Sequence, residues 1–172
     1  MNAVLSNASI DPSDMHAHHF HDWLMMQARL LREGKVGEAD LVHIAQELEE
    51  MGNEIECALV SYFRQTLVHL CKMRYASHIE PSNHRRAEIS NFRSEIDERA
   101  INRFTNSDKI EDMFKRAWKG ARKNLKVVMS ADEYQQVPLD CPFTLLQTRD
   151  ADYFPDPLVL AGKGRHRMNL PR

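Results

Sequence analysis

A chain of 172 residues with 42% hydrophobic content is long enough to bury a core and short enough for one domain to be the default expectation. Its 23 basic and 25 acidic residues leave a net charge of only −2, which excludes a global field for nucleic acid or an anionic membrane surface. Residues 1–15 lack the basic and apolar regions of a secretory leader, and no apolar run approaches the ~20 residues that cross a bilayer. A cytoplasmic protein is therefore expected, with residues 1–15 as a flexible N-terminus. Cys57, Cys71 and Cys141 form an odd set without Cys-x-x-Cys spacing, so reduced thiols are expected rather than a disulfide framework or zinc knuckle.

The first predicted helix covers residues 16–33, where Phe20, Trp23, Leu24, Ala28 and Leu31 recur at spacings of three and four and Gly34 supplies the stop. A second is predicted over 40–76, opened by Asp40 as N-cap. Gly52-Asn53 within it predicts a bend or short break. Beyond that point Ile55, Leu59, Tyr62, Thr66, His69 and Met73 keep a four-three-four-three-four spacing that marks the spine of a bundle. Pro81 ends this run, and a third helix over 82–104 carries a narrow face of Ile89, Phe92, Ile96, Ala100 and Phe104. A fourth, over 107–129 with Ser107 as candidate cap, places Ile110, Met113, Phe114, Ala117, Trp118, Ala121, Leu125 and Val128 within one arc. Ser130 and Glu133 match a capping box for a short helix, and Pro142 suits the first turn of another ending near Arg149. No segment alternates with period two, so strands are not predicted. The expected fold is all-α: a single-domain bundle, residues 16–154, of four main helices with one or two short C-terminal helices. Residues 155–172 are expected to form a loose basic arm, given Pro155, Pro157, Lys163, Arg165 and Arg167.

Certain residues carry a resemblance in their order and spacing. They are His19 to Trp23, Gln27 to Arg32, Asp40, Glu47-Leu48-Glu49-Glu50-Met51-Gly52, His69 to Lys72, Ile89 with Arg93, Ala121-Arg122, and Pro138 through Pro142. From about Met15 to Pro157 the chain resembles the bacterial domain-of-unknown-function family twenty-nine. The resemblance implies a helical domain and carries no activity, cofactor or catalytic residue with it. The chain departs from the family pattern at His19, His21, Arg85 and Met73.

Four groups are candidates for chemistry. His69 lies at the margin of the spine helix beside Tyr62, Thr66 and Lys72. It can serve as a binding residue or general base at a pocket mouth, held neutral by the nearby lysine, or as a boundary histidine bonded to a neighbouring helix. Glu47, with Glu49 and Glu50, can supply a carboxylate for acid–base work or a cation, although a continuous helix puts Glu47 ~33 Å from His69. His18 and His21 would share a helical face and are weak metal candidates, within a cluster that includes His16 and His19. Lys115, Arg116, Lys119, Arg122, Lys123 and Lys126 form the largest single-sign cluster, read as fanning over the face opposite Trp118 and Leu125. That patch suits an anion or an acidic partner, and counterion release would make its binding salt-dependent.

The leading expectation is a non-enzymatic binding module for a protein or small-molecule partner. The alternative is a hydrolytic or transfer enzyme using His69 with Glu47, with or without a metal, and a distant third is nucleic-acid binding through helix 115–126. No cofactor and no membrane contact is implied, and no motif specifies an oligomeric state.

Overall fold

The computed structural model describes residues 12–76, 82–97 and 101–158, and all regular structure among them is helical. In chain order the helices are α1 (Pro12–His18), α2 (Phe20–Arg32), α3 (Leu41–Tyr75), α4 (Ser82–Glu95), α5 (Ser107–Val128), α6 (Ala131–Tyr134) and α7 (Leu145–Arg149). Short 3₁₀ turns lie at Val36–Glu38 and Ile101–Arg103. Two compact units can be distinguished, Met1–Glu54 and Ile55–Arg172. The boundary falls inside α3, in a stretch whose side chains from Leu48 to Glu54 are all exposed.

In the first unit the expected helix over 16–33 is interrupted at His19. The His19 amide closes α1 on the Met15 carbonyl at 2.8 Å, while its carbonyl accepts from the Trp23 amide at 2.9 Å and opens α2. The break returns the ring of His16 to the ring of Trp23, 4.6 Å away. Helix α2 stops at a Schellman turn: Lys35 N–H donates to the Leu30 carbonyl, Gly34 N–H donates to that of Leu31, and Gly34 takes the left-handed φ of 72° that glycine tolerates. Trp23, Gln27 and Leu30 are its buried residues, and the Gln27 amide oxygen accepts from the Asp40 amide at 2.9 Å. Asp40 caps α3 as expected, its Oδ1 accepting from the His43 amide.

No break occurs at Gly52: α3 is one helix of 35 residues. A single glycine lowers helix propensity by about 1 kcal/mol, which a long helix with packed ends absorbs.

The core of the second unit gathers Leu59, Phe63, Leu67 and Leu70 of α3, Ile89 and Ile96, Met113, Trp118 and Leu125 of α5, with Val137 and Phe143 from the segment after α6. Phe63 meets Phe114 edge to face at 5.5 Å. The expected helix over 82–104 stops at Glu95. The Asn102 side chain satisfies the Asp97 carbonyl at 2.8 Å, and Phe104 donates back to the Ile101 carbonyl. Helix α5 is capped by Asn106, not Ser107, because the Asn106 Oδ1 accepts from the amides of Asp108 and Lys109. The capping box at Ser130 and Glu133 is present. A second box, Thr144 with Gln147, opens α7, so Pro142 lies before the cap instead of in the first turn.

Arg93 organises the C-terminal part. Only 3% exposed, it donates to the carbonyls of Thr148 (2.9 Å), Tyr153 (2.8 Å), Gln147 (3.2 Å) and Ala151 (3.4 Å), satisfying the open end of α7 with one guanidinium. Burial lowers its pKa from the usual guanidinium range, and the nearby Asp150 and Asp97 carboxylates oppose that shift. Where the loose arm was expected to begin, Pro155 is buried and the Leu158 amide donates to the Arg74 carbonyl at 2.6 Å. Residues 159–172, the remainder of that arm, lie outside the described residues, as do residues 1–11 of the expected flexible N-terminus.

Candidate functional site

A groove about 880 Å³ in volume runs along α5 in the second unit. Helical spacing builds it. Relative to Trp118, Lys115 stands three positions back, Arg122 four ahead and Lys126 eight ahead, so all four share one side of the helix. The expectation that the cations face away from Trp118 is therefore overturned by the 3.6-residue repeat itself. Phe114 and Trp118 form the floor, Tyr134 and Leu139 the far wall, and Lys115, Lys119, Arg122, Lys123 and Lys126 the cationic rim, with Glu111 and Asp140 as the acids.

The floor is tied to the far wall, and three of the rim lysines are in no ion pair among the described residues. Trp118 is buried and its indole N–H donates to the Leu139 carbonyl at 2.8 Å, which fixes the far wall to the helix. Arg122 lies over the Tyr134 ring, 5.7 Å from its centroid, and its buried Nε makes no hydrogen bond among the described residues. Lys115 has a weak pairing with Asp112 at 3.5 Å, and Arg116, off the groove, pairs with Glu56 at 3.8 Å. Lys119, Lys123 and Lys126 have no carboxylate within ion-pair distance among the described residues. Cys141 borders the groove, and burial raises its thiol to about 11, so it sits there as a neutral, weakly polar group.

His69 and its neighbours lie on α3, away from the groove. Thr66 is fully buried and donates its hydroxyl to the Tyr62 carbonyl one turn back, at 2.9 Å. Beside His69 the structure puts a carboxylate: Nδ1 lies 3.2 Å from the Glu88 Oε2, and the ring tilts against Phe92 with centroids 5.8 Å apart. The imidazole thus lies between α3, which carries it, and α4, which supplies Glu88 and Phe92. Glu47 has its own histidine. Its Oε1 lies 2.6 Å from the His16 Nε2. His69 and Glu47 are twenty-two positions apart on α3 and belong to different units.

A constellation that sequence reasoning missed surrounds His16. His43 Nδ1 lies 2.6 Å from Asp40 Oδ2, and the His43 ring stacks on that of His16 at 4.5 Å between centroids. Two imidazoles, each held by a carboxylate, thus lie face to face beside Trp23. Burial pushes the Asp40 carboxyl up, but its hydrogen bonds to His43 and the charges of His43 and His16 outweigh that and hold it below the usual 3.8. The available signal was the Asp40-Leu-Val-His43 spacing, which puts acid and imidazole one turn apart. His18 is exposed, and the break at His19 removes the helical repeat that would have aligned it with His21. His21 itself is solvated, 3.4 Å from Asp22. Among the described residues no three histidine, cysteine or acidic side chains group in a way that could hold a metal ion. No described helix is long and apolar enough to cross a membrane.

No curated protein and no solved structure matches the chain. One family model does, over residues 15–154, which takes in α2 through α7 and both of the constellations above. The chain therefore belongs to the family described as Domain of unknown function DUF29.

Proposed function

We propose that this protein is a non-enzymatic binding module whose α5 groove takes an anionic amphipath, a ligand with an apolar body and a negative edge. The observation that carries this reading is the joining of an aromatic floor, Phe114 and Trp118, to five cations along one helix side. Apolar area drives such a ligand into the groove, while the unpaired lysines select for negative charge and fix its orientation. What the residues of the enzymatic alternative do points the same way: Glu47 holds His16, and His69 rests against Glu88.

Dodecanoate is a suitable probe, since it has one apolar chain and one carboxylate. Calorimetric titration of the protein is expected to show saturable binding that weakens with added salt. The double variant Lys119→Glu/Lys126→Glu is expected to lose at least about tenfold in affinity, roughly 1.4 kcal/mol, with an unchanged melting temperature. Equal affinity in the wild type and the variant would overturn the reading.

A further inference from the structure

The first unit carries a surface with the opposite character to the groove. Along α3, Leu41, Leu48 and Met51 lie on one arc with Ile44, at spacings of three and four, and are 49%, 63% and 59% exposed. Phe20 and Leu24 of α2 extend this apolar band, meeting Glu47, Glu50, Met51 and Glu54 around a shallow cavity of about 250 Å³. The charges bordering the arc are all acidic. Glu49 lies on one side and Glu54 on the other, Glu47 being already paired with His16, and no lysine or arginine occurs between Asp40 and Glu54.

From this complementarity we propose that the segment Leu41–Glu54 of one copy occupies the α5 groove of a second copy of this chain. The proposal rests on the groove reading above and names the occupant. Three observations carry it. The segment is an amphipathic helix with an uncovered apolar arc, the form that enters a groove by laying that arc on the floor. Its length, ~21 Å over fourteen residues, matches the ~22 Å of α5 from Glu111 to Lys126 that lines the groove. Its edge is acidic where the groove's rim is basic, so encounter is steered and like-with-like pairing of either surface is penalised. The chain's own C-terminal residues, with Lys163, Arg165 and Arg167, carry the wrong sign for that rim.

The test is the solution mass of the full chain by light scattering across a concentration series, with two charge-reversal variants. Glu49→Lys/Glu54→Lys makes the helix edge basic, and Lys119→Glu/Lys126→Glu makes the rim acidic. All four positions are exposed, and none is in an ion pair among the described residues. The wild type is expected to associate at low salt, and each variant alone is expected to stay monomeric. Mixing the two is expected to restore association, because each helix then meets a rim of the opposite sign. A closed pair and an open head-to-tail series both support the proposal, since each is made of this contact.

A monomeric wild type that still binds dodecanoate in the groove overturns self-pairing and leaves the binding reading intact. A monomer that fails to bind dodecanoate overturns both. Association that survives in both single variants, or is not restored by mixing, places the contact elsewhere and overturns the proposal.

Discussion

Asp40 does three things with one carboxylate. It caps α3 through the His43 amide, pairs with the His43 imidazole, and carries negative charge beside the stacked rings of His43 and His16. Its folded pKa lies below the usual 3.8, so its contribution to stability is full above that value and is lost as pH falls through the folded pKa. Asp40→Asn keeps a capping oxygen and removes the charge. It is expected to lower stability at neutral pH by no more than about 1 kcal/mol, the range of a partly exposed pair. The difference from the wild type should begin to shrink near pH 3.8 and vanish once the pH of a denaturant titration is below the folded pKa. A gap of constant size down to the acid limit would show that Asp40 acts by shape alone. This pairing was half legible: Asp40 was recognisable as a cap, but the stack of His43 on His16 joins residues 27 positions apart, which no local spacing reports.

Helices were the most legible level. The arc read for α5 buries Met113, Phe114, Ala117, Trp118, Ala121 and Leu125, because a 3.6-residue repeat of apolar side chains has one way to leave water. Val128, on the same arc, is 54% exposed at the helix end, where no neighbour covers it. Breaks were less legible, because they depend on which carbonyls find partners. Gly52 was expected to interrupt α3 and does not, whereas the first helix divides at His19, a residue with no strong breaking tendency. A Cβ added at Gly52 would meet nothing within 4 Å, and its φ is negative. Gly52→Ala is therefore expected to stabilise the protein by about 0.5 to 1 kcal/mol, from helix propensity and the reduced freedom of the unfolded chain. The check is the denaturation midpoint, and a decrease would show that α3 bends at Gly52 in solution.

The two units differ in how much they bury. In the first, the fully interior positions are few, Trp23 and Gln27 foremost, whereas the second buries a continuous set from Leu59 to Phe143 and clamps its C-terminal segment with Arg93. Opening free energy follows buried apolar area and satisfied backbone, so the first unit should open at lower cost. Hydrogen exchange is expected to show α2 amides exchanging well before those of α5 and of the Leu59–Tyr75 part of α3. Equal protection throughout would mean that the two units unfold as one.

The sequence by itself determined the class of fold, the extent of α3 and α5 to within a turn, the face that α5 buries and the set of cations it carries, because these depend on side chains a few positions apart on one helix. That Lys115, Arg122 and Lys126 flank Trp118 was within its reach too, through spacings of three, four and eight. Tertiary structure alone decided that Tyr134 and Leu139 close a wall beside those cations, that Glu47 meets His16, and that His69 meets Glu88. Each of these contacts joins groups distant along the chain, and chain reversals between helices, set by the burial of whole faces, bring such groups together without leaving a periodic trace.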